Sequence, residues 1–553
     1  MRRGLPALVA LTLTCLSVGW GFAAPAPAPP PARPGAPQPI AVPDLAPPPA
    51  RPHQAQPLNP AQAQRLLQAQ AARESGQVDA ARDMLLALQA ESPHQPIVLS
   101  ELARTYAVTQ QWNAIERLAL GERLATRDSL LLGRELSLAY ERLRQPRKAA
   151  QVAVEVWIAA PIETEWAEAT VSRIEDIEPH AGRDALHKAV SARPARVDLA
   201  LAAARLEWRH DDLAAVLRLL SNADAAGPNT PARWSFAQEL LFAGGSRDTT
   251  GAIEALISLA GDPARDPAYR LPAARRAWQV YERQGTQREG VPRISRALAD
   301  LPPPTWPGDL LVGIVRGLRE SGQTAEARAL LERLGDKTAA IPGLALEGAL
   351  NELREGPPAR ALPVLEKVAI GSPEGVFRYA EALFFAGMPD SAMRLYDIIS
   401  RDPKSPYTAP ALERLFLIED ADPQSALPAL GQMAYETWRG ETRRATALAE
   451  SLYRSLPRAA LWATAALELA TYRDRSGDEA GALDPLLAVA DSLPGDRLAP
   501  VARQRAGDIY RLKLKDDAKA LAQYEECLAR YPKAWNAPEV RRVVETLRRE
   551  RRF

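Results

Sequence analysis

A spacing of 34 residues constrains this chain more than any other feature: it separates Ala81, Ile115 and Ala149, then Ala327 from Ala361, and Ala392 from Ala426. A fixed period of that size marks an array in which one short unit is stacked on its neighbours, and such arrays more often bind than catalyse. Each unit buries its apolar face only against the next, so a chain of 553 residues need not be divided to form a core.

Alanine is common here, and the signal lies in companions at constant offsets. Five residues before the anchor stands a glycine: Gly76, Gly322, Gly356, Gly387 and Gly477. Four residues after it comes a bulky apolar side chain: Leu85, Leu331, Leu365, Tyr396, Leu430, Leu486 and Tyr524. Twelve residues after it comes a proline: Pro93, Pro161, Pro373, Pro494 and Pro532.

Each offset suits a pair of antiparallel helices. The glycine ends the first helix in a left-handed conformation that other residues adopt only at a cost. The alanine lies early in the second helix, where a larger side chain would hold the two apart. One turn later the apolar residue fills the seam on the same face, and the proline stops the helix because it lacks an amide hydrogen.

With these positions occupied, the chain resembles the tetratricopeptide repeat family, whose unit is a helix-turn-helix of this length. The clearest unit runs from Gly507 through Tyr510, Ala520 and Tyr524 to Pro532, with one extra residue in its turn; the units at 62–95 and ending at Pro161 follow closely. The resemblance implies an all-α, right-handed α-solenoid of tetratricopeptide-like hairpins, about 12 to 14 of them at this period. Over 162–310 and 435–460 the spacing drifts, and longer or degenerate hairpins are expected there.

The ends of the chain speak to its compartment. Arg2 and Arg3 precede an almost wholly apolar stretch from Leu5 to Phe22, and Gly21, Phe22 and Ala23 suit a signal peptidase cutting before Ala24. The same stretch, about 18 residues, is near the lower limit for a single membrane anchor. Lipidation at Cys15 is a third fate, although Thr12 and Thr14 depart from the lipoprotein pattern. Pro25 to Pro60 is rich in Pro and Ala and cannot bury a core; it is a disordered leader after cleavage, or an extended stalk if the anchor stays. The expected organisation is a signal peptide at 1–23, a Pro/Ala-rich linker at 24–60, one solenoid at 61–300 and a second at 309–553, divided by the prolines of Leu301 to Gly308. The last helix carries Arg541, Arg542, Arg548, Arg549, Arg551 and Arg552, which suits a solvated cap on the stack or, alternatively, attraction to an anionic surface.

Composition excludes several classes. A net charge of +1 is not that of a general nucleic-acid binder. With Cys15 in the signal, the mature chain keeps only Cys527, which cannot form an internal disulfide, and a small buried apolar role is expected for it. Five histidines form no metal-binding spacing, no phosphate-cradling glycine loop occurs, and Gly371, Ser372, Pro373, Glu374 and Gly375 lack the spacing of a nucleophile elbow. No catalytic residue, metal or cofactor is therefore expected.

In the family, positions 2, 5, 9 and 12 of each unit face a groove lined by first helices. On this chain the correspondence selects Gln70, Arg73, Ser100, Arg104, Arg134, Glu141, Arg316 and Arg319; Gln70 and the five arginines are the candidate partner-binding residues, a basic stripe suited to carboxylates or phosphates. Gln70, Arg104 and Leu138 occupy the position where members that clamp a peptide C-terminus carry other residues, so that clamp is not supported. The expected function is an exported, periplasmic or envelope-associated scaffold for protein or peptide partners, touching membrane only through an uncut or lipidated N-terminus. Two alternatives remain: a cell-wall glycan enzyme or regulator built on a helical superhelix, and a secretion or surface-appendage accessory protein.

Overall fold

The computed structural model describes residues 56–227 and 231–550; the expected signal peptide, Cys15, most of the Pro/Ala-rich stretch, Arg551 and Arg552 lie outside them. Among the described residues there are twenty-nine α-helices and no strand. The chain divides into two compact units between Leu301 and Pro302.

Residues 56–301 form seven consecutive helical hairpins. The first pairs Pro60–Glu74 with Val78–Glu91, the second Pro96–Val108 with Trp112–Thr126, the third Gly133–Arg142 with Pro146–Ala159, and each second helix also packs on the first helix of the next pair. The opening helix starts at a reciprocal cap: the Gln62 amide donates to Asn59 Oδ1 at 2.9 Å, and the Asn59 amide to Gln62 Oε1 at 3.0 Å. Where longer or degenerate hairpins were expected, four stand at regular spacing, their first helices starting at Thr164, Val197, Ala232 and Pro267, 33 to 35 residues apart, and the last of these helices is the long one, at 18 residues. What drifts there is the side-chain signature, while the hairpin persists.

The anchors do what the offsets demand. Ala81, Ala149, Ala327, Ala361, Ala392, Ala482 and Ala520 are all fully buried. Gly76, Gly322, Gly387 and Gly477 have φ of +75° to +83°. The exception is Gly356, at φ −127°, because the residue before a proline, here Pro357, favours an extended backbone. The same left-handed position is also held by Gln110, Arg144 and Lys515, each five residues before its anchor, at φ +54° to +58°. Closure of the turn compels it: the Gln77 amide returns to the Ala72 carbonyl at 2.9 Å, and Gln111 to Tyr106 at 2.9 Å, whichever residue sits between.

Residues 302–550 carry six further hairpins, the four-residue helix Lys337–Ala340, a lone longer helix and a closing one. Gly308–Glu320 pairs with Thr324–Leu334, Pro342–Glu355 with Pro358–Ala369, and Pro373–Phe385 with Pro389–Ser400. Next comes Thr408–Glu419, packed on Pro389–Ser400, and here the 34-residue reading fails. Leu427–Arg439, which Ala426 and Leu430 had marked as the second helix of a hairpin, packs on Pro373–Phe385 and pairs with Thr442–Ser455. It is a first helix. Its hairpin bears the glycine, alanine and proline of the signature at Gly440 (φ +83°), Ala445 and Pro457, with Ala449 where a bulky apolar residue would stand, displaced by the inserted helix. The extra residue foreseen in the clearest unit is absorbed as a π-turn, Ile509–Lys513, before Asp517–Arg530. Ala537–Glu550 closes the array: Val540, Val544 and Leu547 are buried, while Arg541, Arg542, Arg548 and Arg549 face solvent.

Candidate functional site

The first helices supply the side chains expected in the groove, and the structure shows what each arginine meets. On Pro60–Glu74, Gln70 is half-buried and Arg73 reaches Glu101 of the next first helix at 3.6 Å. Arg104, exposed, turns back onto the same carboxylate, so Arg73 and Arg104 are brought together on a glutamate that is 3% exposed. Arg134 is exposed, bonds Glu163 through Nε at 2.6 Å and lies 5.4 Å above the Trp166 ring. Ser100 donates to Glu135, and Glu141 accepts from Arg173 at 2.7 Å.

In the second unit Arg316 and Arg319 converge on Glu347. Arg316 Nε lies 2.6 Å and Arg319 Nε 3.0 Å from its two oxygens, and Arg316 also reaches Glu374 at 3.3 Å. Glu347 is fully buried and Arg319 is 5% exposed. Burial alone would raise the Glu347 pKa; the two guanidiniums overcome it and hold the carboxyl below its ordinary range. Arg319 thus serves the interior, and Arg316 is the half-exposed member of the pair.

The acidic partners were not among the expected site residues. They stand roughly one repeat away: Glu101 is 28 residues after Arg73, Glu163 29 after Arg134, and Glu347 31 after Arg316. Arg205 makes the pattern explicit, pairing with Glu168 of the preceding first helix and, through Nη2 at 2.7 Å, with Glu239 of the following one. The expected basic stripe is therefore a ladder of ion pairs joining successive first helices, with little free positive charge. Acids one repeat away from Arg73, Arg134 and Arg316 are visible in the sequence, but which of them pair is set by the rotation of the helices.

Deeper ion pairs hold the layers. Arg233 is buried between Asp224 and Asp262, its Nη2 2.6 Å from Asp262. Glu381 accepts from Arg414 Nε at 2.9 Å and from the Tyr396 hydroxyl; burial and the adjoining carboxylate push that phenol well above its ordinary pKa. Cys527 is fully buried, and burial pushes its thiol up to about 11, which makes it an inert packing group. Among the described residues no three His, Cys, Asp or Glu side chains gather as metal ligands, and no helix is long and apolar enough to cross a membrane.

The site is thus an extended surface of first-helix side chains, on an α-solenoid of the kind that generally serves as a protein-protein interaction scaffold. Residues 502–534 match the family described as tetratricopeptide repeat, and the hairpins of the other described residues have the helix-turn-helix form of that unit. No curated protein matches its sequence. Among solved structures it is similar to the APC/C hetero-tetramer Cut9-Hcn1, at 13% identity over 89% of this chain and 96% of that one, with a TM-score of 0.23. It is also similar to Naa15/Naa10 bound to HypK-THB, at 16% identity over 84% of this chain and 68% of that one, again with a TM-score of 0.23. Scores that low carry no inference about this chain.

Proposed function

We propose that the protein is a non-catalytic scaffold that gathers protein partners in the bacterial cell envelope. The observation that carries the scaffold reading is the series of first helices within each unit, whose exposed faces are lined by charged side chains already ordered by neighbours, a surface that can bind without first being organised. The envelope assignment rests on the sequence alone: the basic start, the apolar stretch and the Ala24 cleavage position, followed by the Pro/Ala-rich linker to residue 60. We take 61–300 and 309–553 as two successive binding regions, with Gln70, Arg73, Arg104, Arg134 and Arg316 as contact candidates. Arg319 contributes by fixing Glu347.

Cross-linking of the full chain in an envelope fraction, followed by identification of the adducts, tests the reading. Recovery of one reproducible envelope partner is the expected result. Charge reversal of Arg104 and Arg134 to Glu should weaken that adduct; equal recovery would remove those two from the contact surface. A reporter fused after residue 60 should be exported, and retention in the cytoplasm would refute the envelope assignment.

A further inference from the structure

In the unit 56–301 most arginines of the first helices lie against a carboxylate. Arg65, Arg73, Arg104, Arg134, Arg173, Arg205, Arg209, Arg233 and Arg270 each lie within ion-pair distance of a carboxylate. Arg142 lies over the Trp112 ring instead. On the last first helix of the unit, Pro267–Gln284, the pattern breaks at Arg276 and Arg283.

Neither makes an ion pair among the described residues. Arg276 is half-buried; its Nε is shut off from solvent with no acceptor, and its Nη1 has only the side-chain oxygen of Gln279, at 3.3 Å. Arg283 is exposed, and its Nε reaches only the Gln279 carbonyl oxygen, at 3.4 Å. Both bonds are long and both acceptors neutral. Positions 276, 279 and 283 fall on one helix face. Burial first, and repulsion from Arg283 second, hold the Arg276 pKa below its ordinary value. Two cations thus share a face with donors unspent, in a unit that answers most such arginines with acids and Arg142 with an aromatic ring.

We propose that this face of Pro267–Gln284 receives an acidic peptide segment of a protein partner, one carboxylate on Arg276 and a second on Arg283. The inference rests on the scaffold reading and supplies the chemistry of its ligand. Two anchor residues seven apart on a helix are about 10 Å apart along its axis. A peptide in the polyproline II conformation rises about 3.1 Å per residue and turns once every three, so it covers that in about three residues with positions i and i+3 on one face; two acidic side chains three positions apart match the pair, whereas a small free anion meets one guanidinium at a time. Each contact is a charge-assisted, fork-shaped bond.

The test is fluorescence anisotropy of the full chain with a labelled Gly/Ser dodecapeptide bearing Glu at positions 5 and 8, beside the same peptide with Gln there. Arg276→Gln and Arg283→Gln should each weaken binding about tenfold, and the pair about a hundredfold; the Gln peptide should bind no better than the double variant. Arg142→Gln should leave binding unchanged, and Arg276→Gln should not lower Tm, since it removes repulsion. Equal affinity of wild type and double variant would overturn the proposal. So would equal binding of the two peptides, displacement by inorganic phosphate at concentrations below the peptide's own Kd, or a fall in Tm that accounts for the lost binding. Cross-linking separates the two levels: a partner recovered equally by the double variant leaves the scaffold standing and ends this inference, while no partner with wild type ends the scaffold reading itself.

Discussion

Replacing Gly431 by alanine sets the tertiary packing of Leu427–Arg439 against its local helical preference. In an isolated helix the change would stabilise by about 1 kcal/mol. Here a methyl at Gly431 would overlap the Phe384 carbonyl oxygen and stand 3.1 Å from its carbon, inside the 3.5–4.0 Å at which carbon atoms rest. The obstacle is backbone, so no rotamer change relieves it, and the helix must retreat by about 1 Å from Pro373–Phe385. That retreat strains the bond from the Tyr435 hydroxyl to the Leu353 carbonyl, 2.8 Å, and that from Arg354 to the Arg439 carbonyl, 2.9 Å. Overpacking of this kind costs about 1–3 kcal/mol or more, and loss of one buried hydrogen bond about 1 kcal/mol. The net expectation is destabilisation by about 2 kcal/mol after the helical gain, confined to this part of the array because repeat proteins open locally. Hydrogen exchange resolved by peptide is the assay: amides of 373–385 and 427–439 should exchange about thirtyfold faster, with 60–126 unchanged. If Gly431→Ala slows exchange instead, Leu427–Arg439 does not lie against Pro373–Phe385, and the simpler hairpin marked by Ala426 would be restored.

Three further outcomes follow from the same geometry. Glu381→Gln leaves Arg414 buried beside a neutral group and should cost about 3–5 kcal/mol in local opening, whereas the double variant Glu381→Leu with Arg414→Leu should recover most of it; exchange of 408–419 measures both. Lys515→Gly removes a side chain from φ +54° and should stabilise the array's C-terminal end by about 0.5–1 kcal/mol, read as a higher urea midpoint, with Gly477→Ala lowering stability by a similar amount. Glu347 is held below the ordinary carboxylate range by Arg319 and Arg316 against the opposing effect of burial, so its folded-state pKa is the lower one. Its contribution is in full above about pH 4.3, the unfolded value, and is lost only as pH falls through the depressed folded value. Glu347→Gln should accordingly flatten the acid limb of the stability profile, and an unchanged limb would place the proton uptake elsewhere.

The hairpins were legible in the sequence because their determinants are local. An alanine that must let two helices touch and a proline that must end one act within a few residues, and Ala81 with Pro93 or Ala520 with Pro532 report them directly. The turn was legible only in part: at Gln110, Arg144 and Lys515 the backbone bonds of the turn impose the left-handed conformation whatever the side chain, so the glycine marked some turns and left others silent. Ala426 misled because alanine and leucine at the right spacing also occur by chance, and what decides is which helix Gly431 lets approach, a fact about residues 47 positions apart. The site was legible as arginines at first-helix positions and illegible as chemistry. Whether an arginine is free depends on an acid about 30 residues away and on the rotation of two helices, which set Glu101 under Arg73 and Glu347 under Arg316. Abundance of arginine therefore says little about binding in an array of this kind. The informative positions are those where stacking leaves a cation uncompensated, because folding has already used the rest, and Arg276 and Arg283 satisfy that condition on the first helices of residues 56–301.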